Sequence, residues 1–426
     1  MVGPDVYFPI EITAREYAGH LLLATELAAR GRIGIVGHKK PVARAMRAAA
    51  EAGRRGLLFY KLDERPKWAA PGHELVGMHP EAGITFRDLA TFQRTTGFVS
   101  RREPNHAQFC YGPADFLWMV TNFPDLSHRF RLTGSPRVEL WGLSGQHFYA
   151  SESAQIVDRY GEFVLFTSSG DFAHEKVLGW HGKDPEATWK EDDGAHHFFA
   201  TAREVANHGL SVVVRPHPAD SWTAWQHLVS EVPGMQIDST YDLAAWTRAA
   251  YAVVHSGTST AAFEAISAGT PAVSTQSHWW TNAATDVSHL ASDTQHLLEL
   301  LEDARCGSLA VHADLQSKAL FENKLLHPIE GAAARIADEL DATIPFVNAV
   351  PTPYLQRAVA RRNPMSLLRR KSSLRTLGDQ RPRPFKRDPL VIDIVERDVS
   401  SCLQILGRKD SVRVQRLDDN CFALFV

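Results

Sequence analysis

Two stretches of this chain combine residue types that suit a phosphate. The first is Ser256-Gly257-Thr258-Ser259-Thr260, which follows the apolar run 251–255. A helix predicted over 261–268 would open on this loop, so its unpaired N–H groups and its dipole would face whatever lies there. Ser256, Gly257, Ser259 and Thr260 are small enough to let a phosphate approach the backbone. Glu264 falls one turn inside the helix, where a carboxylate suits a ribose diol. A plain N-cap with a surface glutamate is the simpler reading, but capping needs only one such hydroxyl. The second stretch is Arg215-Pro216-His217-Pro218, after the run Val212-Val213-Val214. Ligands of parallel sheets bind at the carboxyl ends of strands. Two prolines would fix the loop around His217. Its imidazole could donate to a phosphate or protonate a leaving group near neutral pH. Arg215 suits a phosphate or a structural carboxylate.

Carboxylates for proton transfer are sought in the first third of the chain. Glu81 follows Leu75-Val76-Gly77-Met78 and His79-Pro80. A strand-end position facing a cleft makes it a candidate base or nucleophile, against the alternative of an exposed loop acid. Glu11 follows Pro9-Ile10 at the end of the first apolar run and is the second candidate. For Glu11 and Glu16 a capped, ion-paired helix start is the competing reading. His174, His181, His196 and His197 have no standard zinc spacing and no nearby cysteine. No metal and no cofactor is expected. Trp279-Trp280 suits core packing or sugar stacking.

The elements needed to position these residues can be traced along the sequence. Strands are predicted at 6–8, 33–36, 56–60, 108–111 and 129–133, alternating with helices at 13–29, 41–52, 86–95 and 113–121. Thr13 is the expected cap of the first helix, with Glu16 at the capping-box position. Gly134-Ser135-Pro136 breaks the pattern, and 142–145 suits a linker. A second series follows. Its predicted strands are 163–167, 211–215, 235–237, 251–255 and 272–274, and its helices include 153–160, 195–207, 222–230, 241–248 and 261–268. Strands alternating with helices imply parallel, doubly wound sheets. The expected class is therefore α/β, with two Rossmann-like domains at 1–145 and 146–345 facing a cleft. Residues 346–426 form a basic linker and a small unit with predicted strands at 390–395, 412–417 and 421–426.

With these motifs in order, the chain resembles bacterial surface carbohydrate (polysaccharide) biosynthesis proteins of the GT-B glycosyltransferase fold. The resemblance covers roughly residues 5–340. It rests on Pro9-Ile10-Glu11 with Arg15-Glu16, Thr133-Gly134-Ser135-Pro136-Arg137, Tyr160-Gly161-Glu162-Phe163, Thr167-Ser168-Ser169-Gly170-Asp171-Phe172, Arg215-Pro216-His217-Pro218 and the stretch 256–271. The later motifs are similar to those of bacterial sialyl-, polysialyl- and Kdo transferases. The resemblance implies that His217-Pro218 and Ser256 with Ser259 or Thr260 bind CMP. It also implies that Glu81-Ala82-Gly83 stands where a paired-acid-plus-glycine motif supplies the catalytic carboxylate; one acid of that pair is missing here. His-Pro and Ser/Thr positions also recur in CDP-glycerol-type phosphotransferases. The implied function is transfer of a sugar, CMP-activated and acidic in the first instance, to a glycan or lipid-linked acceptor. The alternatives are a UDP-sugar transferase or epimerase, a CDP-polyol phosphotransferase, and a non-catalytic nucleotide-binding partner in a glycan assembly complex.

Charge bounds the partners. The 426 residues carry 46 Lys+Arg and 49 Asp+Glu. Residues 351–426 hold 16 basic against 8 acidic side chains, and residues 1–350 hold 30 against 41. An acidic body argues against nucleic acid. Between Arg357 and Arg387 lie 11 basic residues and one acid, Asp379, interleaved with leucines. A solvated linker and a peripheral contact with anionic lipid are both open readings of 357–387. Four scattered cysteines suit free thiols in a reducing compartment. No signal-peptide pattern or membrane-length apolar run is seen. The expected location is cytoplasmic, including the inner face of the plasma membrane.

Overall fold

The computed structural model describes residues 5–61, 66–78, 106–168, 194–218, 220–256, 259–275, 283–309, 330–343 and 389–426, with Gln316, Lys318, Ala319 and Leu326 besides. Glu81, Gly257, Thr258, His174, His181, the Trp279-Trp280 pair, the helix expected at 86–95 and the basic segment 357–387 lie outside the described residues, as does the side chain of His196.

The first unit runs β1 (Asp5–Ile10), α1 (Thr13–Ala29), β2 (Gly34–His38), α2 (Lys39–Glu51), β3 (Gly56–Tyr60), β4 (Glu74–Met78), β5 (Ala107–Cys110), α3 (Pro113–Asn122) and β6 (Phe130–Leu132). All six residues of β1 are buried, as expected of a strand covered by helices on both faces. Thr13 does not cap α1. It is the first helical residue, after Ile12, and its hydroxyl is buried without a hydrogen-bond partner among the described residues. Glu16 instead reaches back, and its Oε2 accepts the N–H groups of Glu11 (2.6 Å) and Ile12 (3.4 Å).

The second unit follows α4 (Pro136–Glu139). It runs α5 (Gln146–Tyr160), β7 (Val164–Thr167), α6 (Gly194–Asn207), β8 (Val212–Arg215), α7 (Trp222–Ser230), β9 (Met235–Ile237), α8 (Leu243–Ala249), β10 (Ala252–His255), α9 (Thr260–Ser267), β11 (Ala272–Ser274), α10 (Ala283–Asp286), β12 (His289–Leu290) and α11 (Thr294–Arg305). The chain then returns through α12 (Ala332–Thr343), α13 (Ile392–Ile405) and the hairpin β13 (Arg413–Asp418) and β14 (Cys421–Phe425).

Two sheets result, in the orders β13-β14-β2-β1-β3-β4-β5-β6 and β12-β11-β10-β7-β8-β9. Every pairing is parallel except those of β13 and β14. The expected α/β class with two Rossmann-like domains is thus present. The end of the chain corrects the sequence reading twice. Residues 390–395 begin a helix rather than a strand. The hairpin is no separate unit: β14 pairs antiparallel with β2, Cys421 opposite Gly37, and so extends the first sheet. A side chain at Gly37 would stand 2.7 Å from the Cys421 Cα, so glycine permits this join.

The two units share one apolar core, which runs from Phe8 and Phe59 through Trp141 and Tyr149 to Phe163, Trp246 and Ile336. Polar ties close the seam. Arg248 donates to the carbonyls of Leu140, Trp141 and Gly142 at 2.6–3.1 Å. The Glu139 carboxylate accepts the N–H groups of Gly331 and Ala333 at the start of α12. Arg30 and Arg32 hold Asp341 at its end. Among the described residues no helix is long and apolar enough to cross a membrane.

Candidate functional site

The second sheet has β7 first in sequence and in the middle in space, with β8 and β9 on one side and β10 to β12 on the other. The chain therefore reverses direction between β7 and β10, and that switch is where such sheets hold ligands, beyond the strands' carboxyl ends. Ser168 follows β7 there, and Ser256 follows β10; both are buried. Ser259 caps α9, its Oγ accepting the Ala261 N–H at 3.2 Å. Thr260 opens the helix. A hydroxyl-lined loop and the positive end of a helix thus meet at the crevice.

His217 lies at the end of β8. In the sheet β7 stands between β8 and β10, so one strand separates this loop from the Ser/Thr loop. The loop is clamped from below. The His217 N–H donates to Ser168 Oγ (2.8 Å) and Asp220 Oδ2 (3.1 Å). Ser168 Oγ and Trp225 Nε1 both donate to the same Asp220 oxygen. His217 and Pro218 are left exposed on a fixed backbone. Asp220, and Ser168 of the quoted 167–172 stretch, were given no role by the sequence and are the residues that fix it.

Arg215, expected to suit a phosphate or a structural carboxylate, has both amino groups on backbone carbonyls. It is 7% exposed, and its two amino groups donate to the carbonyls of Thr240 (2.9 Å) and Tyr241 (2.7 Å). Those bonds steady a turn in which Tyr241 has φ +60°. Glu264 also departs from expectation. It is fully buried, and its Oε1 accepts from Arg137 Nη2 at 2.5 Å. Arg137 belongs to α4, so this ion pair crosses the seam. Burial raises the Glu264 pKa, to about 7, with Asp242 adding to the rise and Arg137, Arg215 and Arg248 opposing it. Oε2 of Glu264 is buried without a hydrogen-bond partner among the described residues.

The first sheet has its own switch, between β1 and β3, and Glu11 stands on it. Its Oε1 accepts from Lys39 (2.7 Å) and the Tyr60 hydroxyl (2.9 Å), and its Oε2 from Lys61 (2.5 Å). Burial works against its charge, yet the two lysines and the tyrosine bring its pKa down from 4.5 to about 2. Its oxygens are thus ion-paired, the arrangement that competes with the catalytic reading of Glu11. A cavity opens beside it, lined by Arg15, His20, Phe59, Lys61, Ser135 and Arg137 among others. Burial lowers the His20 pKa to about 4, so its ring there is neutral near pH 7. Sequence reasoning gave no role to His20 or Arg137. His20 sits inside a helix pattern with no motif around it, whereas Arg137 stood in the quoted Thr133–Arg137 stretch.

The site residues thus fall into two groups. Ser256, Ser259, Thr260, His217 and Pro218 gather around the carboxyl end of β7. Glu264 meets Arg137 at the seam, next to the first unit's cavity. Among the described residues no group of three or more His, Cys, Asp and Glu side chains could hold a metal ion.

No family model matches the chain, and no curated protein matches it. Solved structures similar to it include the Methanocaldococcus jannaschii UDP-GlcNAc 2-epimerase in complex with UDP-GlcNAc and UDP, at 9% identity and TM-score 0.45 over 80% of this chain and all of that one. The wall teichoic acid polymerase TagF is similar at 9% identity and TM-score 0.45, over 71% of this chain and 85% of its own. Anabaena Alr3699/HepE in complex with UDP and glucose is similar at 11% identity and TM-score 0.46, over 80% of this chain and all of that one.

Proposed function

We propose that the protein is a glycosyltransferase of GT-B type that takes its sugar from a nucleotide donor, CMP-activated in the first instance, and passes it to a glycan or lipid-linked acceptor. The observation that carries this reading is the crevice between β7 and β10, where Ser256 and the Ser259-capped start of α9 meet. The donor phosphate would lie on the N–H groups opening α9, where the helix dipole favours an anion. His217, exposed on a clamped loop, would donate to the leaving phosphate as the sugar bond breaks. Glu264 would take the ribose through its unpartnered oxygen. Glu81 remains the proposed acceptor-side base, and Arg215 supports the site through the Thr240–Tyr241 turn rather than by touching phosphate.

Calorimetric titration with CMP, CDP and UDP tests this. We expect CMP to bind most tightly and His217→Ala to weaken it about tenfold or more, the loss of one charge-assisted hydrogen bond. A preference for UDP or CDP would move the donor class. No binding by any of the three, or an affinity unchanged by His217→Ala, would sink the reading.

A further inference from the structure

Three arginines surround the buried Glu264, and they are not equivalent. Arg215 uses its amino groups on the Thr240 and Tyr241 carbonyls, and Arg248 uses Nη2 on those of Leu140, Trp141 and Gly142. Arg137 makes the side-chain ion pair, and it reaches Glu264 from the other unit. Its own position is tightly set. A side chain at Gly19 of α1 would come within 2.9 Å of the Arg137 backbone nitrogen, so the two backbones lie in contact. The guanidinium also sits over the Trp141 ring, 5.3 Å from its centre. Oε1 is held, and Oε2 of Glu264, also buried, has no hydrogen-bond partner among the described residues. A buried acceptor without a donor is costly, and a hydroxyl supplied by a ligand would satisfy it.

We propose that Arg137 determines ribose selectivity: by holding Oε1 of Glu264 from the first unit, it aims Oε2 at the sugar hydroxyls of a nucleotide seated on the second. This rests on the nucleotide reading above and assigns Arg137 the part of a positioning residue. Arg137 holds Oε1 through one amino group of a planar guanidinium, a directed contact that the point charge of a lysine does not reproduce. The same contact ties the donor half to the cavity of the first unit, which Arg137 also lines.

The test measures the affinities of a ribonucleotide (whichever of CMP, CDP and UDP binds) and of its 2′,3′-dideoxy counterpart, in wild type, Arg137→Gln and Arg137→Lys. Wild type should prefer the ribonucleotide by about tenfold, the worth of one hydrogen bond. Arg137→Gln should cut that preference to roughly threefold or less while the dideoxy affinity moves less than about twofold, because only the aimed hydrogen bond is lost. Arg137→Lys should fall between, and it decides the matter if Arg137→Gln does not fold. A full wild-type preference in either variant, or an equal loss of both nucleotides, overturns the proposal and leaves the nucleotide reading standing. No binding by wild type brings down the nucleotide reading, and this inference with it.

Discussion

Glu11 and Glu264 are the same residue type in opposite surroundings, and the surroundings decide what each can do. Glu11 has two lysines and a tyrosine hydroxyl on its oxygens and stays charged. Glu264 is ion-paired with Arg137 and has a second acid, Asp242, nearby, and burial pushes its pKa up. Such perturbed groups mark candidate sites only together with geometry, and here the geometry favours Glu264. The contrast is testable in stability. The Glu11 carboxyl has a folded pKa of about 2, below the ordinary 4.5. Its contribution is therefore complete above pH 4.5 and lost as pH falls toward 2. We expect Glu11→Gln to lower the thermal midpoint by roughly 2 °C at pH 7. The gap to wild type should close between about pH 4.5 and 2 as the native carboxylate protonates. A gap that stays constant through that range in paired thermal melts would show that the charge of Glu11 does not matter.

At the scale of elements, patterns confined to a few neighbouring residues were legible in the sequence. The apolar run of β10, the hydroxyl-rich loop and α9 were recognisable because strand, helix cap and helix follow each other directly. The same holds for β8 and the Pro-His-Pro loop. What required the whole fold was not legible. The β14–β2 pairing joins residues almost 400 apart, and no local pattern specifies it. The start of α13 reads as a strand over 390–395 because a short apolar run looks alike in both states. Only the longer spacing Val395, Val399, Cys402, all buried on one face, declares the helix. Arg137 and Glu264 are likewise 127 positions apart, and their meeting depends on how the two units dock. The join at β14 has its own test. Gly37→Ala would drive a methyl group into the backbone of Cys421, an overpacking that costs about 1–3 kcal/mol. Faster hydrogen exchange confined to β13 and β14 is the expected result. Unchanged protection there would mean that the hairpin is held by its packing on α13 instead.

At the scale of the molecule, the two sheets each present a switch point, and the seam between them is closed by buried charge. The first switch is filled by the Glu11 lysine cluster and bordered by a cavity. The second is lined by hydroxyls and a helix start. Arg137 touches both surroundings, through the cavity wall and through Glu264. In the proposed reading the nucleotide belongs to the second crevice and the acceptor to the first. The most direct measurement is the structure of the protein with the best-binding of CMP, CDP and UDP. The account predicts phosphate oxygens about 3 Å from the N–H groups that open α9, and a ribose hydroxyl on Oε2 of Glu264. A nucleotide found in the cavity beside β1 and β3, away from Ser259 and His217, would contradict it.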